Sequence, residues 1–345
     1  MSWVEAELRE QPAALERLLA AETANATAIA RELARADVHY VLIAARGSSD
    51  NATRYAQYLL GTMNRLPVVP ATPSLYTLYE TQPRLEGAFA IGISQSGASP
   101  DVVAVLDEAR RQGRPTLAIT NEPGSPLAQA AALTLPLHAG EERAVAATKT
   151  YLNSLGALAL LSVALTGSEE QLRELRRAPA RVEAQVERSL ADAAKLDAYR
   201  AIDSGSVVAR GFNYGTAFEI ALKIRELSAA QFEAYSAAEL LHGPIAALRT
   251  GRPVVVVAPS GRTLPGLRAL VAKLRERGSE LIAVSDDEEL LRSADTQLPL
   301  VEPVPEWLSP LVTVVPGQVA AVRLAKLRGA DVDRPTGLTK VTLTR

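Results

Sequence analysis

The chain has 345 residues, of which 48% are hydrophobic and 22% are charged, and its 37 Lys plus Arg nearly balance its 39 Asp plus Glu. This balance is typical of a globular protein of about two domains, and it excludes a disordered chain, a peptide hormone and a coiled coil. The formal net charge of −2 provides no general attraction to nucleic acid or to an anionic membrane surface.

The residue types limit the chemistry further. The sequence contains no cysteine, which excludes disulfides, thiolate nucleophiles and Cys-ligated metals. The histidines His39, His138 and His242 form no metal-binding motif, so we expect no metal and no other cofactor. The N-terminal residues lack an apolar signal core, and the apolar stretch 152–167 is shorter than the roughly 20 residues of a membrane span. We therefore expect a cytoplasmic protein with a buried helix at 152–167.

The predicted elements fall into five segments along the chain. Residues 1–35 are predicted to form leading helices, with Pro12 near a helix start. Residues 36–167 and 201–330 each alternate short Val/Ile/Leu/Ala strands with longer helices, which predicts a parallel sheet covered on both faces. Residues 168–200 are charged and amphipathic and are predicted to form a helical linker. The tail 331–345 contains Gly and Pro residues that deny it regular structure before its last strand-like residues, so it needs a reason to be ordered.

The two sheet segments are predicted to be an internal duplication. Both begin with an apolar strand, Ala-Arg-Gly and a helix, and Gly47 and Gly211 lie 164 positions apart. The next loop keeps this spacing, since Ser96-Gly97 and Ser260-Gly261 are also 164 positions apart. The sequence therefore predicts two tandem α/β domains with doubly wound parallel sheets.

The loop after the strand at 89–93 is rich in hydroxyl and amide groups. It reads Ser94-Gln95-Ser96-Gly97-Ala98-Ser99-Pro100-Asp101, in which Ser99 is suited to cap a helix that starts at Pro100. Backbone N–H groups at such a helix start favour a phosphate. A plain Ser/Gly turn is the simpler interpretation of this loop by itself.

A second hydroxyl-rich loop supports the phosphate interpretation. Gly47-Ser48-Ser49-Asp50 follows the first strand, so both loops should lie side by side at one sheet edge. The corresponding loops of the second half contain fewer hydroxyl groups, which predicts one sugar-phosphate site in the first half. Neither loop matches the motifs that bind ATP or dinucleotides.

A row of charges lies on an otherwise apolar helix predicted at 215–227. Glu219, Lys223 and Glu226 are spaced i, i+4 and i+7 and therefore share one face. A solvated ion pair is the simpler interpretation, whereas a polar cavity would let one glutamate move protons between carbons. Two further candidates are His242, which precedes a helix-stopping Gly-Pro, and Lys340 in the tail; the simpler interpretation of each is a structural or solvated side chain.

Six stretches together resemble the sugar isomerase (SIS) family, and the resemblance spans nearly the whole chain: ARGSSDNA, ISQSGASPD, AGEERAVAATKTYL, EIALKIREL, EAYSAAELLHGP and DVDRPTGLTKVT. Within that family they are similar to the isomerase half of glucosamine-6-phosphate synthase and to the stand-alone deaminase of glucosamine 6-phosphate. The resemblance implies two flavodoxin-like SIS domains and a homodimer whose subunits share the active site.

The resemblance also implies roles for individual residues. The phosphate and nearby sugar hydroxyls would be held by Ser48, Ser94, Gln95, Ser96 and Ser99, with Ser49 and Ala147 as further members of the binding set. Glu226 would shuttle a proton between C1 and C2 beside Lys223 and Glu219. His242 would open the sugar ring from the other subunit, and Lys340 would close over the sugar with the tail and form a Schiff base.

Departures from the synthase indicate the degradative direction. Ala147, Ala98 and Gln231 stand where the synthase usually has Ser, Glu and His, and the sequence contains neither a glutaminase domain nor a cysteine. The expected activity is therefore hydrolysis of glucosamine 6-phosphate to fructose 6-phosphate and ammonia. The alternatives are an ammonia-fed aminotransferase, an aldose–ketose isomerase, a fructosamine-phosphate deglycase and, in another class, a sugar-phosphate sensor. Nucleic acid and membranes are not expected partners.

Overall fold

A computed structural model describes residues 1–248 and 250–340; Arg249 and residues 341–345, which include the predicted strand-like end of the tail, lie outside the described residues. The chain divides into two compact units. The first-repeat unit comprises residues 13–142, 149–177 and 339–340, and the second-repeat unit comprises residues 1–12, 143–148 and 178–338. The domain boundaries expected from the sequence stay predictions.

The first-repeat unit is built on a five-stranded parallel sheet. Its strand order is β2-β1-β3-β4-β5. The strands are β1 (Tyr40–Ala45), β2 (Val68–Pro70), β3 (Ala88–Ser94), β4 (Thr116–Thr120) and β5 (Leu133–Pro136). Helices of this unit are α2 (Ser48–Met63), α3 (Ser74–Thr77), α4 (Pro100–Arg111), α5 (Pro126–Ala130), α6 (Lys149–Thr166) and α7 (Glu169–Arg176), and α1 (Trp3–Leu33) contributes its residues from Ala13 onward.

The second-repeat unit repeats this topology. Its parallel sheet has the order β7-β6-β8-β9-β10, so the strand that comes second along the chain is again the edge beside the first. The strands are β6 (Ser204–Ala209), β7 (Gln231–Ser236), β8 (Pro253–Val257), β9 (Glu280–Ser285) and β10 (Thr296–Pro299). The α-helices are α8 (Ala178–Asp192), α9 (Tyr214–Ser228), α10 (Ala237–Leu241), α11 (Leu264–Glu276), α12 (Glu288–Arg292) and α13 (Ser309–Leu327), and 3₁₀ helices cover Ala193–Tyr199, Gly211–Asn213, Pro244–Ala247 and Glu306–Leu308.

Both faces of the second sheet are buried, as the sequence predicted. Along β8, Val254 and Val256 pack into one apolar cluster while Val255 and Val257 pack into another. This alternation follows from the two-residue period of a strand, and it explains why β8 is an uninterrupted apolar run. The duplication and the doubly wound α/β class are therefore confirmed.

The leading segment forms a single helix, whereas several helices with a start near Pro12 were predicted. Pro12 lies inside α1 and cannot donate to the carbonyl of Leu8. The buried Gln11 side chain donates to that carbonyl instead, over 3.3 Å. The prediction of a helix start at Pro12 was therefore wrong, because a neighbouring amide replaces the missing hydrogen bond.

One described helical segment, Glu306–Leu327, is long and apolar enough to span a membrane by length and composition. Its apolar window is 94% buried inside the protein, as in the core helix of a soluble fold. Burial rather than lipid therefore accounts for its composition.

Candidate active site

The first candidate loop connects β1 to α2. Gly47 adopts φ 55°, a conformation that favours glycine, and the helix begins at Ser48. The carbonyl of Arg46 accepts from the N–H of Ser49 at 3.1 Å, which curls the loop over the end of the strand. Ser48 and Ser49 are both half-buried in this turn.

The second candidate loop connects β3 to α4. The hydroxyl of buried Ser94 accepts from the N–H of Gly97 at 3.1 Å, and the hydroxyl of Ser96 accepts from the N–H of Ala98 at 3.3 Å. Gly97 has φ 60°, and a Cβ atom there would lie 2.0 Å from the hydroxyl oxygen of Ser125. The loop can therefore close in this form only with glycine at position 97.

Gln95 and Ser99 complete this loop. The carbonyl of Gln95 accepts from the N–H of Asn121 at 3.1 Å and from the hydroxyl of Thr120 at 3.3 Å. Ser99 occupies the N-cap position of α4, which begins at Pro100 as predicted, but its side chain makes no capping hydrogen bond. The Ser99 hydroxyl is therefore not committed to the helix that it precedes.

The two loops are neighbours because their strands are paired. β1 and β3 are parallel and adjacent, with Ala45 opposite Ile93, so both loops leave the same sheet edge. An ion pair connects them: the Arg46 Nε donates to the Asp101 Oδ2 at 2.7 Å. The sequence analysis missed this pair, although a charged residue directly beside each hydroxyl-rich loop was a signal.

The corresponding loop of the second repeat is filled by the chain itself. The Glu306 carboxylate accepts from the N–H of Arg262 at 3.0 Å and from the N–H and hydroxyl of Thr263 at 3.3 and 3.2 Å. These groups lie at the start of α11, where a partial positive charge favours an anion. A side-chain carboxylate thus occupies the helix start whose counterpart in the first repeat carries the serines.

The charged row on α9 is buried. The side chains of Glu219 and Lys223 are 0% and 1% exposed, and that of Glu226 is 24% exposed. The Lys223 Nζ lies 2.5 Å from the Glu226 Oε2 and 3.5 Å from the Glu219 Oε1. The interpretation as a solvated surface pair was therefore wrong, since the apolar residues around the row exclude water from all but its last member. Lys223 and Glu219 together place a cation beside an accessible carboxylate.

His242 lies in the segment that follows β7 in the second-repeat unit. It follows the end of α10, its backbone N–H donates to the carbonyl of Glu239 at 3.0 Å, and its side chain is exposed. Gly243 then takes φ 139°, and a 3₁₀ turn starts at Pro244, so Gly-Pro ends the helix as predicted. The structure does not join the imidazole to Glu226 by a hydrogen bond or ion pair within residues 1–248 and 250–340.

Lys340 is held by a buried carboxylate that the sequence analysis did not identify. The Lys340 Nζ donates to the Glu142 Oε2 at 2.8 Å. Glu142 also accepts from the backbone N–H of Thr150 at 3.1 Å and from its hydroxyl at 2.7 Å. Glu142 belongs to the AGEERAVAATK stretch, in which Ala147 is half-buried. The two adjacent glutamates of this stretch, Glu141 and Glu142, were the signal from which the sequence analysis could have identified this carboxylate.

The beginning of the tail has a second anchor. The Asp333 carboxylate accepts from the N–H groups of Trp3 and Val4, each at 2.9 Å, and so caps the start of α1. Nearby, Lys326 pairs with Glu5 at 2.5 Å. Burial by itself raises the pKa of Glu5, but hydrogen bonds from Lys326 and Ser2 outweigh it and lower this pKa to about 2. Helix capping therefore orders the tail before Lys340 is reached.

The described residues contain no group of three His, Asp or Glu side chains placed to hold a metal ion. The serine loops and the α9 row are each assembled in their own unit, and that they meet over one molecule stays a prediction. The ring-opening role of His242 and the homodimer with a shared active site also stay predictions.

Known proteins are similar to this chain over almost its whole length. The glutamine–fructose-6-phosphate aminotransferase (isomerizing) of Thermococcus kodakarensis is 35% identical over 97% of this chain, which spans 56% of that protein, a little over half its length. A solved protein from Silicibacter pomeroyi DSS-3 assigned to the phosphosugar isomerases has a TM-score of 0.87 and 30% identity, covering 96% of this chain and 99% of its own. The glucosamine-6-phosphate deaminase of Thermotoga maritima shares the fold, with a TM-score of 0.80 at 23% identity over 99% of this chain and 100% of its own.

The family assignment follows from the repeats themselves. The SIS domain family matches residues 33–164 and 203–328, one match for each five-stranded sheet. The two matches together cover well over half of the chain, and the order of strands agrees between them. The chain belongs to the SIS domain family and carries two SIS domains.

Proposed function

We propose that this protein is a cytoplasmic glucosamine-6-phosphate deaminase, which isomerises its substrate through an enolamine and hydrolyses the product to fructose 6-phosphate and ammonia. The observation that carries the proposal is the α9 row, in which Glu226 is the accessible end of a buried charge cluster. A carboxylate so placed can take a proton from carbon and return it to the neighbouring carbon.

The substrate phosphate is proposed to bind at the two hydroxyl-rich loops. Ser48 begins α2 and Ser99 occupies the N-cap position of α4, so two helix starts, whose partial positive charge favours an anion, leave the same sheet edge. The hydroxyls of Ser94 and Ser96 already accept loop N–H groups, which fixes their orientation. Both hydroxyls retain a proton to donate, which suits an anionic ligand.

The proposed reaction has three stages. His242 first helps to open the sugar ring, which yields an aldehyde at C1. Glu226 then removes the proton from C2 and returns it to C1, which gives an enolamine and afterwards a ketimine with a CH₂OH group at C1. Water finally adds to the C2=N bond, and ammonia leaves as the C2 carbonyl of fructose 6-phosphate forms.

Lys223 and Glu219 have supporting roles in this scheme. The Lys223 Nζ, 2.5 Å from the Glu226 Oε2, holds the carboxylate that is proposed to act as the base in a defined position. Glu219, fully buried at 3.5 Å, provides Lys223 with a second counter-charge. Removal of Glu219 would take one counter-charge away from Lys223 and so reposition the base.

Lys340 is proposed to act on the sugar from the tail. Its ion pair with the fully buried Glu142 places the amine at a fixed point of the first-repeat unit, which also contains the serine loops. Leaving that ion pair would free the amine to approach C2, so tail movement and chemistry would be coupled.

The degradative direction rests on the substitutions in the binding stretches. Ala147, Ala98 and Gln231 replace the Ser, Glu and His of the synthase pattern. The second candidate is an ammonia-fed aminotransferase that runs the reaction backwards. It is favoured because curated relatives at about 35% identity are named glutamine–fructose-6-phosphate aminotransferases, and this chain spans a little over half of their length. Both candidates use the same residues and differ in the physiological direction.

The direct test is incubation of the purified protein with glucosamine 6-phosphate while ammonia and fructose 6-phosphate are both assayed. The deaminase should release the two products in equal amounts. Substantial synthesis from fructose 6-phosphate and ammonia with negligible hydrolysis would favour the aminotransferase. Turnover of glucosamine 6-phosphate without ammonia would contradict both.

A matched pair of variants tests the base. Glu226→Gln should retain binding of the sugar phosphate but lose at least about 10²-fold in kcat, the usual contribution of a positioned acid–base group. Glu276→Gln, the same change on the exposed end of α11, should retain full activity. Near-normal fructose 6-phosphate release by Glu226→Gln would rule out this residue as the base.

A second matched pair tests the tail lysine. Lys340→Ala should reduce kcat at least about 10-fold, because the side chain is proposed to contact substrate, and it should also lower thermal stability, because it removes a counter-charge from the buried Glu142. Lys273→Ala, a lysine change on the exposed side of α11, should be neutral. Unchanged turnover by Lys340→Ala would remove the tail from the mechanism.

The proposed homodimer is tested by mixing inactive variants. The exposed side chain of His242 is proposed to complete the active site of a second copy. Refolding a one-to-one mixture of Glu226→Gln and His242→Ala should then restore about a quarter of wild-type activity, since half of the dimers would each contain one intact site. Failure of the mixture to recover activity would place both residues in one subunit's site.

A further inference from the structure

We propose that Arg46 is a further ligand of the substrate phosphate and that Asp101 positions it; this inference rests on the proposed function. Arg46 directly precedes the Gly47-Ser48 turn, and Asp101 lies in the first turn of α4. The pair therefore connects the two loops that are proposed to hold the phosphate. Neither residue belongs to the hydroxyl set that the sequence identified.

The ion pair fixes one side of the guanidinium and leaves the other side available. The Arg46 Nε donates to the Asp101 Oδ2 at 2.7 Å, and the Nη2 lies 2.7 Å from the same oxygen. At least three of the five N–H donors of Arg46 have no hydrogen-bond partner in the part of the chain that the structure describes. The Arg46 side chain is 50% exposed, so these donors can reach a ligand.

Asp101 is well suited to orient an arginine. Its side chain is fully buried, and its Oδ1 accepts from the N–H of Val102 at 2.9 Å, so the carboxylate has no freedom to turn. A buried carboxylate needs a counter-charge, which keeps Arg46 at this position. The same neutralisation removes a negative charge that would otherwise repel an anion at the start of α4.

The charge balance of the loops points to the phosphate as the ligand. Arg46 is the one cationic residue within 46–50 and 94–101. Asp50, the other charged residue of the first loop, is paired with Arg54 one turn along α2. Serine hydroxyls bind neutral and anionic oxygens alike, whereas a guanidinium favours a dianion by charge and by its paired donors. Arg46 would therefore distinguish a sugar phosphate from the free sugar.

The test is calorimetric titration with inorganic phosphate, supported by steady-state kinetics with glucosamine 6-phosphate. Arg46→Met should weaken phosphate binding about 10- to 100-fold and raise KM similarly, with kcat changed less than about 3-fold. Arg275→Met is the matched control, because Arg275 is 46% exposed, pairs with Asp295 and lies in the second-repeat unit. It should bind phosphate as the wild type does.

A double variant separates a ligand from a purely structural residue. Arg46→Met alone leaves Asp101 buried without its counter-charge and can impair folding. Arg46→Met/Asp101→Asn removes both charges at nearly constant volume, and it should fold while still binding phosphate weakly. Wild-type phosphate affinity in this double variant would overturn the inference, because Arg46 would then serve only to neutralise Asp101.

Measurements on the wild type distinguish a failure of the proposed function from a failure of the proposed role of Arg46 alone. A wild-type protein that binds neither inorganic phosphate nor glucosamine 6-phosphate would overturn the proposed function and, with it, this inference. A wild type that binds both and releases ammonia, while the double variant binds phosphate equally well, would overturn the role of Arg46 alone.

Discussion

The two repeats have the same sheet topology, but they differ in the groups that surround one equivalent helix start. In each, a helix follows the third strand of the repeat, and the partial positive charge at its start favours an anion. In the second repeat Glu306 supplies its own carboxylate to that helix start. In the first repeat the equivalent loop carries serines, and Ser99 makes no capping bond.

This difference explains how a duplicated fold can retain a single binding site. An internal carboxylate satisfies the N–H groups and neutralises the partial charge of α11, so this helix start has no need of a ligand. At α4 the buried Asp101 accepts from the N–H of Val102 but is paired with Arg46, so an external anion is proposed to bind at the serine loop. One repeat is thus completed by its own chain, and the other is proposed to be completed by substrate.

The largest expected difference comes from matched glycine substitutions in the two loops. Gly97→Ala would place a side chain at a residue with φ 60° and bring its Cβ to 2.0 Å from the Ser125 hydroxyl oxygen. Because this distorts the serine loop, the variant should raise the KM for the sugar phosphate at least about 10-fold. Gly261→Ala meets the side chain of Glu306 at 2.4 Å and should lower stability while KM stays unchanged. KM values and urea unfolding curves of both variants check this; equal KM effects would break the comparison.

A smaller effect is expected when the internal anion is removed. Glu306→Ala exposes the N–H groups of Arg262 and Thr263 and should lower the free energy of unfolding by about 1 to 2 kcal/mol, as for loss of a helix cap. Turnover of glucosamine 6-phosphate should not change. Glu276→Ala, on the exposed end of α11, is the control for stability. Lost turnover in a well-folded Glu306→Ala would show that the second loop also serves the active site.

The smallest effect concerns acid sensitivity of the second-repeat unit. Because the pKa of Glu5 is lowered from 4.5 to about 2, its ion pair with Lys326 stabilises the fold above pH 4.5 and loses that contribution as the pH falls toward 2. Glu5→Gln should therefore be less stable than wild type by about 1 kcal/mol at pH 7. The gap should narrow below pH 4.5 in urea unfolding series. A gap that is independent of pH would contradict the assignment to ionised Glu5.

Much of the fold was predictable, because it depends on neighbours in sequence. The strand at 89–93 lies within β3, α4 starts at Pro100, and the helix predicted at 215–227 corresponds to α9. Apolar periodicity and local capping chemistry determine these elements. The single helix α1 was mispredicted because the hydrogen bond that compensates Pro12 comes from the side chain of Gln11, which a proline rule does not consider.

The candidate site was predictable only as separate pieces. Glu219, Lys223 and Glu226 lie on one helical face, so their spacing predicted their contact. The partners of Arg46 and Lys340 lie 55 and 198 residues away along the chain, and no spacing rule selects Asp101 or Glu142 for them. The hydrogen bond from Arg262 to Glu306 joins residues 44 positions apart, and it was missed for the same reason.

The sequence by itself determined the duplication, the alternation of buried strands and helices, and the loops in which hydroxyl groups are concentrated. These features follow from side-chain volume, polarity and backbone preference, which each residue carries wherever it is placed. Only the tertiary structure decided which charge meets which, because 37 cations and 39 anions allow many pairings and only the folded path of the chain brings particular atoms within about 3 Å.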